Sequence, residues 1–153
     1  MSEEKNCAFV IEGKMALPYQ YFAGAVGSKF IVSLRDEKQI LGVRCDHCEK
    51  TFVPPRETCE RCFALLTDHW VKVEPTGEVT GFTVVHYAEP YQPKEPPYVL
   101  ALIKLDGADT PVVHLLECGD VQNARVGMRV QAVFSEEPKD NILNISHFEE
   151  DVK

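Results

Sequence analysis

The chain has 153 residues, a formal net charge of −8 and 44% hydrophobic residues, the balance of an ordinary globular protein with room for one or two small modules. The negative charge is uneven: residues 75–153 hold six Lys or Arg against thirteen Asp or Glu, whereas residues 1–74 are close to neutral. No run is long and apolar enough to span a bilayer, and Met1-Ser2-Glu3-Glu4-Lys5 opens the chain without an apolar signal region, so a cytoplasmic, reducing setting is expected.

Residues 1–39 read as an amphipathic helical arm. Pro18 is placed to start a first helix carrying Tyr19, Tyr21 and Phe22, which Gly24 and Gly27 would interrupt. Ser28 has the character of an N-cap for a second helix, with Phe30, Ile31 and Leu34 on one face and Arg35, Glu37 and Lys38 on the other. So short an arm cannot bury its apolar face alone and needs the rest of the chain or a partner.

Residues 40–69 carry the most specific motif, Cys45-Asp46-His47-Cys48 followed ten residues later by Cys59-Glu60-Arg61-Cys62. Two residues between cysteines let the chain turn back so that both sulfurs grip one ion, and two such knuckles place four thiolates at the corners of a tetrahedron. Four protein ligands leave no open position for water or substrate, so the expected Zn²⁺ is structural. Iron in a rubredoxin-like site uses the same four ligands, and an electron carrier stays open on spacing alone. Ile40–Arg44 and Thr51–Val53 read as the strands entering and leaving the first knuckle, with Pro54-Pro55 turning the chain toward the second. Arg44, Lys50 and Arg61 are placed to offset the thiolate charge, and His47 reads as a solvent-facing spacer.

Residues 70–153 read as all-β. Trp70–Glu74 alternates apolar and polar and is expected to open a barrel, with Trp70 packing between ribbon and barrel; Glu78–Tyr87, Tyr98–Leu105, Pro111–Leu116, Arg129–Phe134 and Ile142–Phe148 follow. Gly107-Ala108-Asp109 and residues 137–141 are turn chemistry, and the proline-rich stretch 90–97 reads as a stiff connecting loop. Five or six strands in so short a stretch fit a five-stranded OB-fold barrel. The fold class is therefore mainly β: a helical arm, a rubredoxin-like zinc ribbon and a C-terminal OB-fold. Little in it looks catalytic. Cys118 with His114 four residues earlier is the one candidate Cys–His pair, and no glycine-rich phosphate loop or paired carboxylate appears.

The stretches Gly42-Val43-Arg44-Cys45, Phe52-Val53-Pro54-Pro55-Arg56 and Gly77-Glu78-Val79 through Phe82-Thr83-Val84-Val85-His86, with Gly127-Met128-Arg129-Val130 later, resemble the DUF35 family over nearly the whole chain, Tyr21-Phe22-Ala23-Gly24 included. The resemblance implies a zinc ribbon joined to an OB-fold, acting as a non-catalytic partner of thiolase-superfamily acyl-CoA enzymes, for one subgroup in aromatic acyl-CoA degradation. It implies zinc at Cys45, Cys48, Cys59 and Cys62, a hetero-oligomer, and CoA or acyl-CoA shared with a thiolase-like subunit. A CoA phosphate needs cationic side chains beside apolar surface. The acidic C-terminal half is ill suited, so Lys29, Arg35, Arg44, Phe52 and Arg56 are the expected contacts, with Lys38 and Phe30 nearby. The rival from another class is a single-stranded nucleic-acid binder using Phe82, Tyr87 and Tyr98 as stacking platforms, against which the acidic barrel half argues.

Overall fold

The computed structural model describes residues 11, 13, 17 and 19–151; the helix start expected at Pro18, and Cys7, lie outside them. Tyr19, Tyr21 and Phe22 are not helical, and the helix α1 runs Gly24–Val32 with Ala23 at its N-cap. Gly24 does not interrupt a helix but begins one: its φ of +73° is a left-handed conformation at the point where the chain enters α1. Gly27 and Ser28 are interior positions, so the N-cap expected at Ser28 is not used. A π-helical turn, Ser33–Glu37, continues α1 and ends at Lys38, which adopts φ +50°. The apolar face expected from the spacing is present, with Phe30 and Leu34 at 4% and 1% exposure and Ile31 packed beside them.

Eight strands follow. β1 (Ile40–Cys45), β2 (Lys50–Phe52) and β3 (Trp70–Val73) form an antiparallel sheet in the order β2-β1-β3. The strand expected to open the barrel thus belongs to the ribbon, with Trp70 opposite Val43 and Val73 opposite Ile40. β4 (Thr76–Val85), β5 (Tyr98–Leu105), β6 (Val112–Glu117), β7 (Arg129–Phe134) and β8 (Ile145–Glu150) close a barrel in the order β4-β5-β6-β8-β7. Pairing is antiparallel except between β6 and β8, which meet in parallel over two residue pairs, Leu116 with Phe148 and Glu117 with Glu149. Residues 142–144, expected as strand, are a 3-10 turn capped by the Asn141 side chain, which accepts the Leu143 N–H. The stretch 90–97 connects β4 to β5 and is tied to β6 by an ion pair between Lys94 and Glu117. Among the described residues, no helix is long and apolar enough to cross a membrane.

Alternation builds the barrel core: Val99, Ala101, Ile103 and Leu105 point inward from β5 and meet Val79, Val112, Leu116, Val130 and Phe148. Phe30, Leu34, Ile40, Val53 and Val73 belong to that same cluster, so arm, ribbon and barrel share one core. The turn after β5 fastens the join. Asp109 accepts the Thr51 N–H at 2.9 Å, pairs with Lys50 at 2.8 Å and returns its own N–H to the Thr51 carbonyl. The Thr110 hydroxyl accepts from the Val53 N–H and donates to the Val53 carbonyl. Lys50, followed by the Thr51 amide, holds the Asp109 carboxyl below its ordinary pKa.

One close approach on β4 has a measurable consequence. A Cβ on Gly77 would lie 2.5 Å from the Lys104 carbonyl oxygen and 2.9 Å from the Leu105 Cα, backbone atoms that no rotamer change can move. Gly77→Ala is expected to cost about 1–3 kcal/mol by forcing β4 from β5. A thermal melt should fall by several degrees; a shift under about 1 °C would mean the strands part freely.

Candidate metal centre and apolar docking face

The two knuckles have the same local construction. β1 delivers Cys45, a turn follows through Cys48, and Glu49 at φ +54° reverses the chain into β2. After Cys62, Phe63 at φ +60° repeats the device, its N–H bonding the Cys59 carbonyl at 2.9 Å while the Cys59 N–H bonds Ala64. All four Sγ atoms lie within 4.8 Å of one another, with Cys45 and Cys62 at 3.5 Å. A tetrahedral zinc with ordinary Zn–S bonds needs sulfurs about 3.8 Å apart, so the residues fit the ion. Cys45 and Cys59 are buried at 1% and 0%, walled by Val43, Phe52 and Leu66, with Trp70 packed against them.

Backbone amides complete the cage. The Cys62 and Arg61 amides point at the Cys59 sulfur and draw its pKa down to about 7, whereas burial beside the other thiols pushes Cys48 up to about 12. With all four sulfurs facing one point, the site is closed and suits structure, not turnover. His47 is exposed, its Nδ1 3.7 Å from the Cys48 sulfur, outside the ligand set. Lys50 gives its charge to Asp109, leaving Arg44 and Arg61 of the cations expected to offset the thiolates.

The five expected CoA contacts do not converge. Lys29 lies with its Nζ 4.2 Å over the Trp70 ring, and the two line an open hollow of about 300 Å³ with Ala25, Val26, Thr67 and Asp68. Arg56 covers the Phe52 ring at 4.8 Å and lines a neighbouring hollow of about 380 Å³ with Phe22, Gly24, Val26 and Glu57. Phe52 itself is 1% exposed, a core residue of the ribbon. Arg35 is engaged by Asp36 and by Asp140 of the β7–β8 loop, and Arg44, half-buried on β1, bonds the His69 carbonyl through its backbone N–H. Lys29 and Arg56 are thus the cations brought near each other, on either side of Val26.

Large apolar side chains lie exposed on the arm, as its amphipathic reading allowed, and also past the second knuckle, where the residue pattern had singled out none. Leu17, Tyr19, Tyr21 and Phe22 are 74–88% exposed, and Phe63 and Leu65, just past the second knuckle, are 77% and 72% exposed. Phe22 and Glu57 line one hollow, and within the second knuckle Leu65 pairs with Thr58. Two apolar residues directly after a closed knuckle were the available signal.

The Cys118–His114 pair does not form. Cys118 lies beyond the end of β6, and its thiol donates to the Asp120 carbonyl at 3.2 Å. Burial, then the charges of Glu117 and Asp120, push that thiol up, the opposite of an activated nucleophile. His114 is buried inside the barrel wall.

Residues 33–66 match the family model described as the ChsH2 rubredoxin-like zinc ribbon domain, and residues 70–135 match that of the ChsH2 C-terminal OB-fold domain. A DUF35 domain-containing scaffold protein from Methanocaldococcus jannaschii is 31% identical over 101 residues, 66% of this chain and 71% of that protein. The chain belongs to the DUF35 family. Among solved structures, a chain of an Ltp2-ChsH2(DUF35) aldolase superposes with a TM-score of 0.60 at 23% identity, covering 80% of this chain and 91% of that one. A DUF35 protein of unknown function from Sulfolobus solfataricus gives 0.62 at 22% identity, covering 84% and 87%. At these identities the likeness shows the DUF35 fold, with ribbon and barrel in one chain.

Proposed function

We propose that this DUF35 protein is a non-catalytic accessory subunit of a thiolase-superfamily acyl-CoA enzyme, docking through its arm and second knuckle and contributing to CoA or acyl-CoA binding there. The observation that carries the reading is the set of large apolar side chains left exposed, Tyr19, Tyr21 and Phe22 on the arm and Phe63 and Leu65 beside the second knuckle. Side chains this large and exposed, with Lys29 and Arg56 lining the hollows on either side of Val26, are what a protein interface covers. The closed four-cysteine site and the unactivated Cys118 support a role without chemistry of its own. The relatives described above, a scaffold protein and a chain of an aldolase complex, support a partner enzyme. A thiolase identity for that partner, and CoA as the shared ligand, rest on the family resemblance together with those two cations.

The test is affinity purification from the native host with mass spectrometry and a CoA-dependent assay of the eluate. A stoichiometric acyl-CoA enzyme should co-purify with the wild-type chain. Phe22→Ser with Phe63→Ser should lower its recovery by tenfold or more, about 1.4 kcal/mol of association or above. Lys29→Glu with Arg56→Glu should leave recovery intact and raise KM for CoA. Undiminished recovery with the Ser variants, or nucleic acid in place of an enzyme, would overturn the proposal.

A further inference from the structure

β6 and β8 meet over two residue pairs, which leaves the N-terminal half of β6 without a strand on that side. His114 fills the seam. Its imidazole is 3% exposed and lies edge-on to Phe148, with ring centroids 5.6 Å apart. Nδ1 accepts the Leu115 N–H at 2.9 Å, and Nε2 faces the carbonyl of Ile142, in the 3-10 turn before β8, at 3.4 Å. Only the neutral ring with its proton on Nε2 satisfies both partners. A second proton would place Nδ1–H against the Leu115 N–H, donor against donor.

We propose that His114 is an acid-sensitive latch that closes the barrel seam between β6 and the 3-10 turn and so anchors the β7–β8 loop. That loop is a built unit. Asn144, 3% exposed, donates to the Lys139 and Asn141 carbonyls and accepts the Lys139 N–H, while its own carbonyl takes the Ser135 N–H. The loop also carries Glu136 and Asp140, which pair with Lys38 and Arg35 of the helical segment. Opening the latch therefore loosens a loop to which the arm is tied.

Among the described residues, no carboxylate faces the imidazole to hold a proton on it. β5 presents Ala101 in register, β7 presents Ala132 beside Phe148, and the 3-10 turn presents the Ile142 carbonyl. The titratable neighbour is His147 on β8, whose charge opposes protonation of His114. Burial, the largest influence, acts in the same direction and holds the ring below its ordinary pKa. The closed seam binds fewer protons than the open one. It is therefore fully stable above about pH 6.5, and its opening rises about tenfold per pH unit below that until the closed ring itself titrates.

Amide exchange and imidazole titration by NMR on the full chain test this. The Leu115 and 139–144 amides should lose protection on going from pH 7 to pH 5, after correction for intrinsic exchange, while Val99 and Ile103 keep theirs. His114→Asn retains an acceptor for the Leu115 N–H and cannot gain the proton, so its exchange should be flat across the same range. A His114 ring that titrates at or above about 6.5, or one that protonates while Leu115 stays protected, would overturn the latch. The wild-type titration decides between these outcomes even if the Asn variant fails to fold.

Discussion

Chelation of the metal is expected to unfold the ribbon and to destabilise the barrel with it. The binding energy of a four-thiolate zinc is on the order of 10 kcal/mol, as large as the whole stability of a domain this size. Residues 40–69 have little else to hold them: their own core is Val43, Cys45, Phe52, Cys59 and Leu66, two of the five being ligands. The barrel feels the loss because Ile40, Val53 and Val73 form part of its core, and because Asp109 and Thr110 would lose Thr51 and Val53. Cys59→Ser, at a position with 0% exposure, should bind far less zinc and melt about 10–20 °C lower by circular dichroism, with ribbon and barrel probes falling together. A barrel that melts unchanged after chelation would show two independent modules. Metal analysis of the same sample separates the two readings of the tetrathiolate site, since an iron form is red and a zinc form colourless.

Phe148→Ala is expected to be the most damaging single change in the barrel. Phe148 has 0% exposure and stands where the seam closes, opposite Leu116 on β6 and Ala132 on β7 and against the His114 ring. Truncation removes a buried ring and leaves a cavity that β-strands cannot collapse into, a loss of about 3–5 kcal/mol. In a chain of this length that is a melting shift of roughly 6–20 °C. Phe148→Leu should recover most of it, because a branched aliphatic chain refills much of the space. A Phe148→Ala protein that melts within about 2 °C of wild type would mean the seam does not limit barrel stability.

The two predictions divide along a line that also separates what could be read from the residues. Metal ligation is local: two residues between cysteines impose the knuckle, and the sulfurs converge as their spacing implies. β5 and β7 run Tyr98–Leu105 and Arg129–Phe134, the spans expected from apolar alternation, because one face of each packs on a single core. The apolar face of the helical segment is equally plain. Its start was missed because Ser28 resembles a cap, whereas the chain enters the helix at Gly24 through a positive φ that residue type alone does not reveal.

By itself, then, the sequence determined the metal ligands, the strands with one buried face, the acidic barrel half and the membership in DUF35, since each rests on residues near one another in the chain or on a motif. What those elements meet depends on how the chain packs. Alternation in Trp70–Val73 marks a strand but is silent on its partner, and the free edge of β1 claimed it for the ribbon. Phe52 beside a cation reads as a ligand contact until the second knuckle buries it. His114 and Cys118 share a sequence neighbourhood, yet β6 ends at Glu117 and the imidazole turns into the seam. Asp109 reaches Thr51 across 58 residues, a contact no local pattern encodes. Periodicity reports which face of an element is apolar; which surface covers it depends on how the whole chain closes its core.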